Sequence, residues 1–283
     1  MLSVPLKTAE RREKNMYWYK AKNILIILFA VINILLLSLL ASSHISAQKD
    51  AKKLQDSLVA VMETNGISAD KSIFSAQPRK MQSFNVENMA DDSISFAAAF
   101  IGGECSEETD ENGVKSYVCG DKRLYAANGR ISLVSAVSER AQTEDDVKAA
   151  KTFFDSIGVP LENTDYQIAD TKIFFTYLIN GDPLFINGLT VSMGDGVPVS
   201  CEGYLLKILD SASEPSKTRT VSAVMTDYLR DPTRPEGNVR VTDVKTGYAF
   251  LFGSPSVDFK FAEAVPTYRV TIDDKYLFYY DRR

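Results

Sequence analysis

Histidine is nearly missing from this chain: His44 is the one instance in 283 residues. Composition alone thereby excludes most histidine-dependent catalysis. Cysteine is scarce as well, and Cys105, Cys119 and Cys201 are too scattered in sequence to suggest a metal site. No phosphate-binding loop, dinucleotide fingerprint, H-E-x-x-H pair or zinc-ligand spacing occurs. A cationic body is lacking too. Six of the 32 Lys and Arg fall in residues 1–22 (Lys7, Arg11, Arg12, Lys14, Lys20, Lys22), with Glu10 and Glu13 the only acids there out of 37. The other 261 residues hold 26 bases and 35 acids, a poor balance for nucleic acid, whose phosphates need a positive face. Neither a nucleic-acid partner nor a cofactor is expected. What is present is ordinary globular composition, 45% hydrophobic and 24% charged, in a length that suits one large domain or two small ones.

One long apolar run stands out. Residues 23–43 are 21 residues without a charge, long enough as a helix to match a hydrocarbon core of roughly 30 Å. Tyr17, Trp18 and Tyr19 precede it, where amphipathic rings favour the headgroup layer. With the bases of residues 1–22 on one flank, the run predicts a cytoplasmic tail over 1–22. A single transmembrane helix over 23–43 in the cell membrane follows, then an extracytoplasmic body from 44 onward. A cleaved signal peptide is the alternative. Ala41-Ser42-Ser43 offers it a small-residue site, although residues 24–40 exceed the usual apolar region of about 7–15 residues. Asn33 lies deep in the run and either bonds across to a partner helix or bonds locally and is merely tolerated.

Beyond the run, helices alternate with hairpins. Residues 48–64 read as a helix with Leu54, Leu58, Val61 and Met62 on one face, stopped by Asn65-Gly66. A second helix opens at Thr143, with Asp146 at the capping-box position and three acids at the positive end of the dipole. Val147, Ala150, Phe154 and Ile157 make its buried stripe, and Gly158 and Pro160 end it. A third helix is expected over 221–230. Strands are expected over 173–179 and 183–186 around Asn180-Gly181, and over 189–193 and from 197 onward around Gly194-Asp195-Gly196. Others fall at 239–244, 248–252, 267–272 and 276–280. The pattern predicts an α+β fold, helices packed on antiparallel sheets, in two lobes covering 44–142 and 143–283.

Three short motifs invite a chemical reading. Ser68-Ala69-Asp70-Lys71, Ser83-Phe84-Asn85 and Lys245-Thr246-Gly247 follow the S-x-x-K, S-x-N and K-T-G order of serine β-lactamases and penicillin-binding proteins. Context argues against the enzyme. Ser68 follows a helix stop instead of opening a buried helix, and only 11 residues separate Lys71 from Ser83. The acidic stretch 107–113 lacks the glutamate a calcium loop needs at its twelfth position, where Cys119 stands. Asp91-Asp92 and Asp273-Asp274 read as turn residues. The expected protein is not an enzyme, with no catalytic, cofactor or metal residue.

Turn arithmetic does single out Cys105 and Cys119. A hairpin tipped by Asn112-Gly113 with a three-residue loop over 111–113 makes paired residue numbers sum to 224. Cys105 then lies opposite Cys119 as a non-hydrogen-bonded pair, with Cα atoms about 4.5 Å apart, within disulfide reach. A two-residue turn instead pairs Cys105 with Gly120 and sends the sulfurs to opposite faces. Cys201 is left as a free thiol.

Four stretches together resemble the YycI branch of the YycH/YycI family. They are Trp18 onward through Ile27 with Asn33 to Leu37, Phe175 through Asn187, Val241 through Tyr248, and Ala264 through Val270 with Tyr279-Tyr280. Tyr268 stands where that family usually has Trp. The resemblance covers the anchor and roughly residues 145–283, and it supplies a mundane account of Lys245-Thr246-Gly247. It implies a membrane-anchored, non-catalytic accessory protein of a WalK-type two-component sensor histidine kinase in Gram-positive bacteria, with a role in cell-wall homeostasis. The implied partners are that kinase and a sister YycH-like accessory protein, met through membrane helices and outer domains. An anchored module that binds or inhibits peptide or cell-wall material is the alternative.

Overall fold

The computed structural model describes residues 22, 25, 26, 28–30, 32–34, 36, 37 and 52–281, apart from 76, 112, 113, 128, 187, 236, 251–258 and 274. The chain divides into two units, Met1–Val61 and Met62–Arg283. In the first, the described residues from 22 to 37 are helical and exposed, Asn33 among them, and the rest of 23–43 lies outside the described residues. No described helix is long and apolar enough to cross a membrane. Residues 52–64 are helical (α1). Leu58, Val59 and Met62 are buried, whereas Leu54 and Val61 are 61% and 50% exposed. The buried stripe is therefore turned by about one residue from the face expected of the sequence. Asn65-Gly66 does stop the helix, with Gly66 at φ 74°.

The second unit is α+β. One sheet has six strands in the order β1 (Ile67–Ala69), β15 (Val239–Phe250), β16 (Phe261–Ile272), β3 (Phe84–Asn88) and β13 (Leu206–Ser211), with β17 (Lys275–Tyr280) also paired to β16. All its pairs are antiparallel except β1 with β15. The second sheet has nine strands. Its order is β10 (Asp182–Pro183), β9 (Lys172–Ile179), β11 (Leu189–Gly194), β12 (Val197–Gly203), β7 (Arg130–Ser135), β6 (Lys122–Ala127), β5 (Lys115–Cys119) and β4 (Ser106–Thr109), with β8 (Thr164–Ala169) paired to β9. A two-stranded ribbon joins β14 (Ser216–Lys217) to β2 (Lys80–Met81). The sheets draw strands from both sides of residue 142: β7 and β12 are neighbours, with Leu133 opposite Cys201.

Local sequence explains the sharpest corners. Asn180 and Gly181 take φ 53° and 84°, and Asp195 and Gly196 take φ 50° and 82°. Two successive left-handed residues are what a two-residue hairpin turn requires. Strand β10 ends at Pro183, short of the expected 186: the Leu184 N–H still donates to Tyr177 O of β9 at 2.8 Å, and the chain then passes to β15. Leu184 bridges to Tyr248 on β15, and the Phe185 N–H donates to Tyr248 O at 2.7 Å. This joint ties the two sheets together. A second tie is Tyr177, buried on β9, whose hydroxyl donates to Tyr204 O at 2.8 Å and accepts from the Leu206 N–H at 3.2 Å.

Helix α2 (Ile94–Ile101) lies on β5 and β6, and α3 (Glu144–Ser156) on β11 and β12. Phe100 meets Phe153 and Phe154 edge to face at 5.8 and 5.9 Å, closing the core between the two helices. Helix α4 (Val221–Arg230) sits by the six-stranded sheet: Tyr228 and Tyr279 rings meet at 6.4 Å, and the Tyr279 hydroxyl donates to Asp231 at 2.9 Å.

The start of α3 carries a pH-dependent contribution. Arg140 donates through both terminal nitrogens to Asp146, at 2.9 and 2.6 Å, and Thr143 adds its N–H and hydroxyl at 2.9 and 2.8 Å. The Arg140 bonds, then those from Thr143, hold the Asp146 carboxyl down at about 2 against its burial. A depressed acid contributes stability above its unfolded value near ~4 and loses it as pH falls through the folded value. Between pH 5 and pH 2 the wild type should therefore lose about 2 kcal/mol more than Asp146→Asn in denaturant melts. Parallel pH profiles would remove the ion pair from this account.

Candidate functional site

The three motif fragments of the chemical reading lie on or beside different strands of the six-stranded sheet. Ser68 lies on β1 opposite Arg240 of β15, and its hydroxyl donates to Val239 O at 3.4 Å. Lys245 is five residues further along β15, roughly 16 Å away. It faces Arg269 and pairs with Asp243 at 3.4 Å. Ser83 precedes Phe84, which pairs with Ala264, itself opposite Phe250 at the far end of β15. The Ser83 N–H donates to Ser213 Oγ at 2.9 Å. The side chains of an acyl-transfer site are not brought together here. Gly247 has a packing role instead: a Cβ there would stand 2.3 Å from Pro183 O and 2.6 Å from the Phe185 ring.

The acidic candidates also serve local structure. Glu107 pairs with Lys115 at 3.2 Å and Glu108 with Arg123 at 2.8 Å, while Asp110 Oδ1 accepts from the Val114 N–H at 2.9 Å. Asp92 accepts from the Tyr117 hydroxyl at 2.8 Å; burial first, then this carboxylate, pushes the phenol pKa up. Asp273 accepts weakly from the Arg240 N–H at 3.3 Å, and Asp274 lies outside the described residues. Cys105 and Cys119 are joined in a disulfide, with Cα atoms 4.3 Å apart. Cys201 is free and buried, and desolvation pushes its thiol pKa up, so it stays protonated.

An open cavity of about 670 Å³ lies between Asp91, Lys115, Arg130, Phe259 and Lys260. Its charges are already engaged within the chain: Lys115 with Glu107, Arg130 with Glu202 at 3.0 Å, Lys260 with Glu87 at 3.4 Å, and Asp91 with the Ser93 hydroxyl at 3.1 Å. The walls offer few groups left over for a ligand.

The exposed face of the six-stranded sheet is different. The Arg269 guanidinium lies between two rings, 4.8 Å from Phe185 and 4.7 Å from Tyr276. Phe278 meets Phe185 at 5.9 Å, and Lys245 stands across the ladder from Arg269. Tyr276 and Phe278 are 54% and 40% exposed. Aromatic rings interleaved with cations on an open sheet face make this the strongest candidate interaction surface of the second unit. Sequence reading missed it, because Phe185 reaches this face from the segment that follows β10 of the nine-stranded sheet. The signal that was available is the unbroken run Tyr276-Leu277-Phe278-Tyr279-Tyr280.

Among solved structures, the chain is similar to YycH from Bacillus subtilis and spans about half of that chain's length. Identity to it is 15%, over 71% of this chain and 52% of that one, with a TM-score of 0.46. An uncharacterized protein from Eubacterium rectale ATCC 33656 is similar at 10% identity, over 75% of this chain and 82% of that one, with a TM-score of 0.40. No family model and no curated protein matches the chain.

Proposed function

We propose that this protein is a membrane-anchored accessory regulator of a two-component sensor histidine kinase. It acts without chemistry of its own, through contacts made by residues 23–43 in the membrane and by an extracytoplasmic body. The kinase and a sister YycH-like protein are its partners. One observation carries the reading. The three stretches outside the anchor that resemble the YycI branch are distant in sequence yet form one block. The segment from Phe175 crosses from β9 onto Tyr248 through the Phe185 N–H, β15 pairs with β16 from Thr246 opposite Tyr268, and Tyr279 pairs with Tyr268 in turn. The scatter of Ser68, Ser83 and Lys245 argues only against the one enzyme class that their motifs spell.

Capture of the full chain from solubilised membranes tests this. Co-purification of a sensor kinase is the expected result. Recovery of a wall polymer or a secreted protein in its place supports the alternative, an anchored binding or inhibitory module. Asn33→Leu should insert normally yet recover about fivefold less kinase, the effect of one interhelical hydrogen bond of about 1 kcal/mol. Unchanged recovery assigns Asn33 a local bond only.

A further inference from the structure

The last strand leaves an edge of the six-stranded sheet open. β17 pairs with β16 on one side, and no described strand pairs with it on the other. Ile272 to Thr267 of β16 lie opposite Lys275 to Tyr280 of β17, and bonded and non-bonded pairs alternate along this ladder, with Ile272 and Lys275 a bonded pair. Lys275, Leu277 and Tyr279 thus direct their backbone groups at β16, while Tyr276, Phe278 and Tyr280 direct theirs outward. Two further bonds fix this phase. The Asp281 N–H donates to Pro266 O at 2.9 Å on the β16 side, and Arg219 Nη2 donates to Tyr280 O at 3.1 Å from outside. Among the described residues, Tyr276 and Phe278 find no backbone partner along the outer edge.

Other edge strands carry the devices that block sheet-to-sheet pairing. β4 reads Ser106-Glu107-Glu108-Thr109, β8 bears Asp165, β13 bears Lys207 and Asp210, and β1 has only three residues. β17 has Lys275 and then five consecutive aromatic or aliphatic residues. An edge so built is a template for another strand.

We propose that a second copy of the chain covers it, antiparallel, about a two-fold axis at Leu277. In this register Tyr276 of each copy lies opposite Phe278 of the other, and the two residues exchange both backbone bonds that the isolated edge leaves unmade. Leu277 meets Leu277 as a non-hydrogen-bonded pair, and Lys275 meets Tyr279, so no like charges face each other. A register two residues further along would need Tyr280 O, which Arg219 already holds. Self-complementarity of this kind is what an isologous dimer requires. The dimer stands independently of the kinase reading.

The test uses the full chain in detergent, with wild type as background for Cys201. In the dimer, Leu277→Cys places two Cα atoms about 4.5 Å apart, within disulfide reach. Tyr276→Cys is the more exposed site, but each copy sits two residues off its mate. Under mild oxidation Leu277→Cys should give about tenfold more covalent dimer than Tyr276→Cys. Equal yields, a higher yield from Tyr276→Cys, or an absent dimer from a reactive Leu277→Cys would overturn the proposal. So would a bond from Leu277→Cys to a different protein in native membranes. Phe278→Pro gives an independent readout: its N–H faces outward, so the single chain tolerates proline while the dimer loses a bonded pair. Light scattering should show the dimer mass fall to that of one chain, and a mass unmoved by this substitution excludes β17 as the interface.

Discussion

Replacing Gly247 with alanine is expected to lower the stability of the second unit by about 3 kcal/mol. In a thermal melt that is a drop of about 6–12 °C for a domain of this size. The cause is steric. The new Cβ would stand 2.3 Å from Pro183 O, a backbone atom, and 2.6 Å from the Phe185 ring. The ring can turn aside; the carbonyl is less free to move, because the next residues are held by the Leu184–Tyr248 bridge and the 2.7 Å bond from the Phe185 N–H. Relief therefore means parting the joint between the two sheets. Gly196→Ala is the control. It has a left-handed φ of 82° but nothing within 4 Å of its Cβ, so it should cost only about 1 kcal/mol in backbone strain. If Gly247→Ala melts with the wild type, the joint is pliable and the glycine needs another explanation. A large drop assigns the K-T-G spelling to packing.

That glycine also shows where sequence reading reached its limit. The sequence pattern places two strands, at 239–244 and 248–252, on either side of Gly247, whereas β15 runs from Val239 to Phe250 as one strand. Glycine inside a strand often marks a close backbone approach, but which backbone approaches is non-local information. Features set by neighbours in sequence were legible: α3 opening after Thr143, the left-handed pair at 180–181, the hairpin turn within 194–196, and the limits of α4. Helix α2 was not read at all, because Ile94–Ile101 is apolar on most sides and shows no clear 3.6-residue stripe. Strand β8 hides for the opposite reason, since its central residues are exposed. The candidate surface needs Phe185 to cross between sheets before it exists, and no periodicity encodes that crossing.

Reduction of the Cys105–Cys119 disulfide should cost about 3 kcal/mol, the chain-entropy value for closing a loop of this size. The hairpin register provides the geometry. Ser106 pairs with Val118, Glu108 with Ser116 and Thr109 with Lys115, and the Asp110 N–H donates to Val114 O at 3.0 Å. The paired numbers sum to 224, so the two cysteines face each other at the open end of the ladder, 4.3 Å between Cα atoms. A shift of one residue would put Gly120 opposite Cys105 and send the sulfurs to opposite faces of the sheet. Cys119 is 5% exposed and packs in the core beside Tyr117 and Leu124, so loss of the bond also loosens the sheet under α2. Substituting both cysteines with serine should lower stability by a similar amount, with no further loss when reductant is added. Thiol counting separates this from a reduced hairpin. The folded chain should present no reactive thiol, because Cys201 is buried and protonated. The denatured, unreduced chain should present one, and reduction should raise the count to three. Three thiols before reduction would refute the bridge.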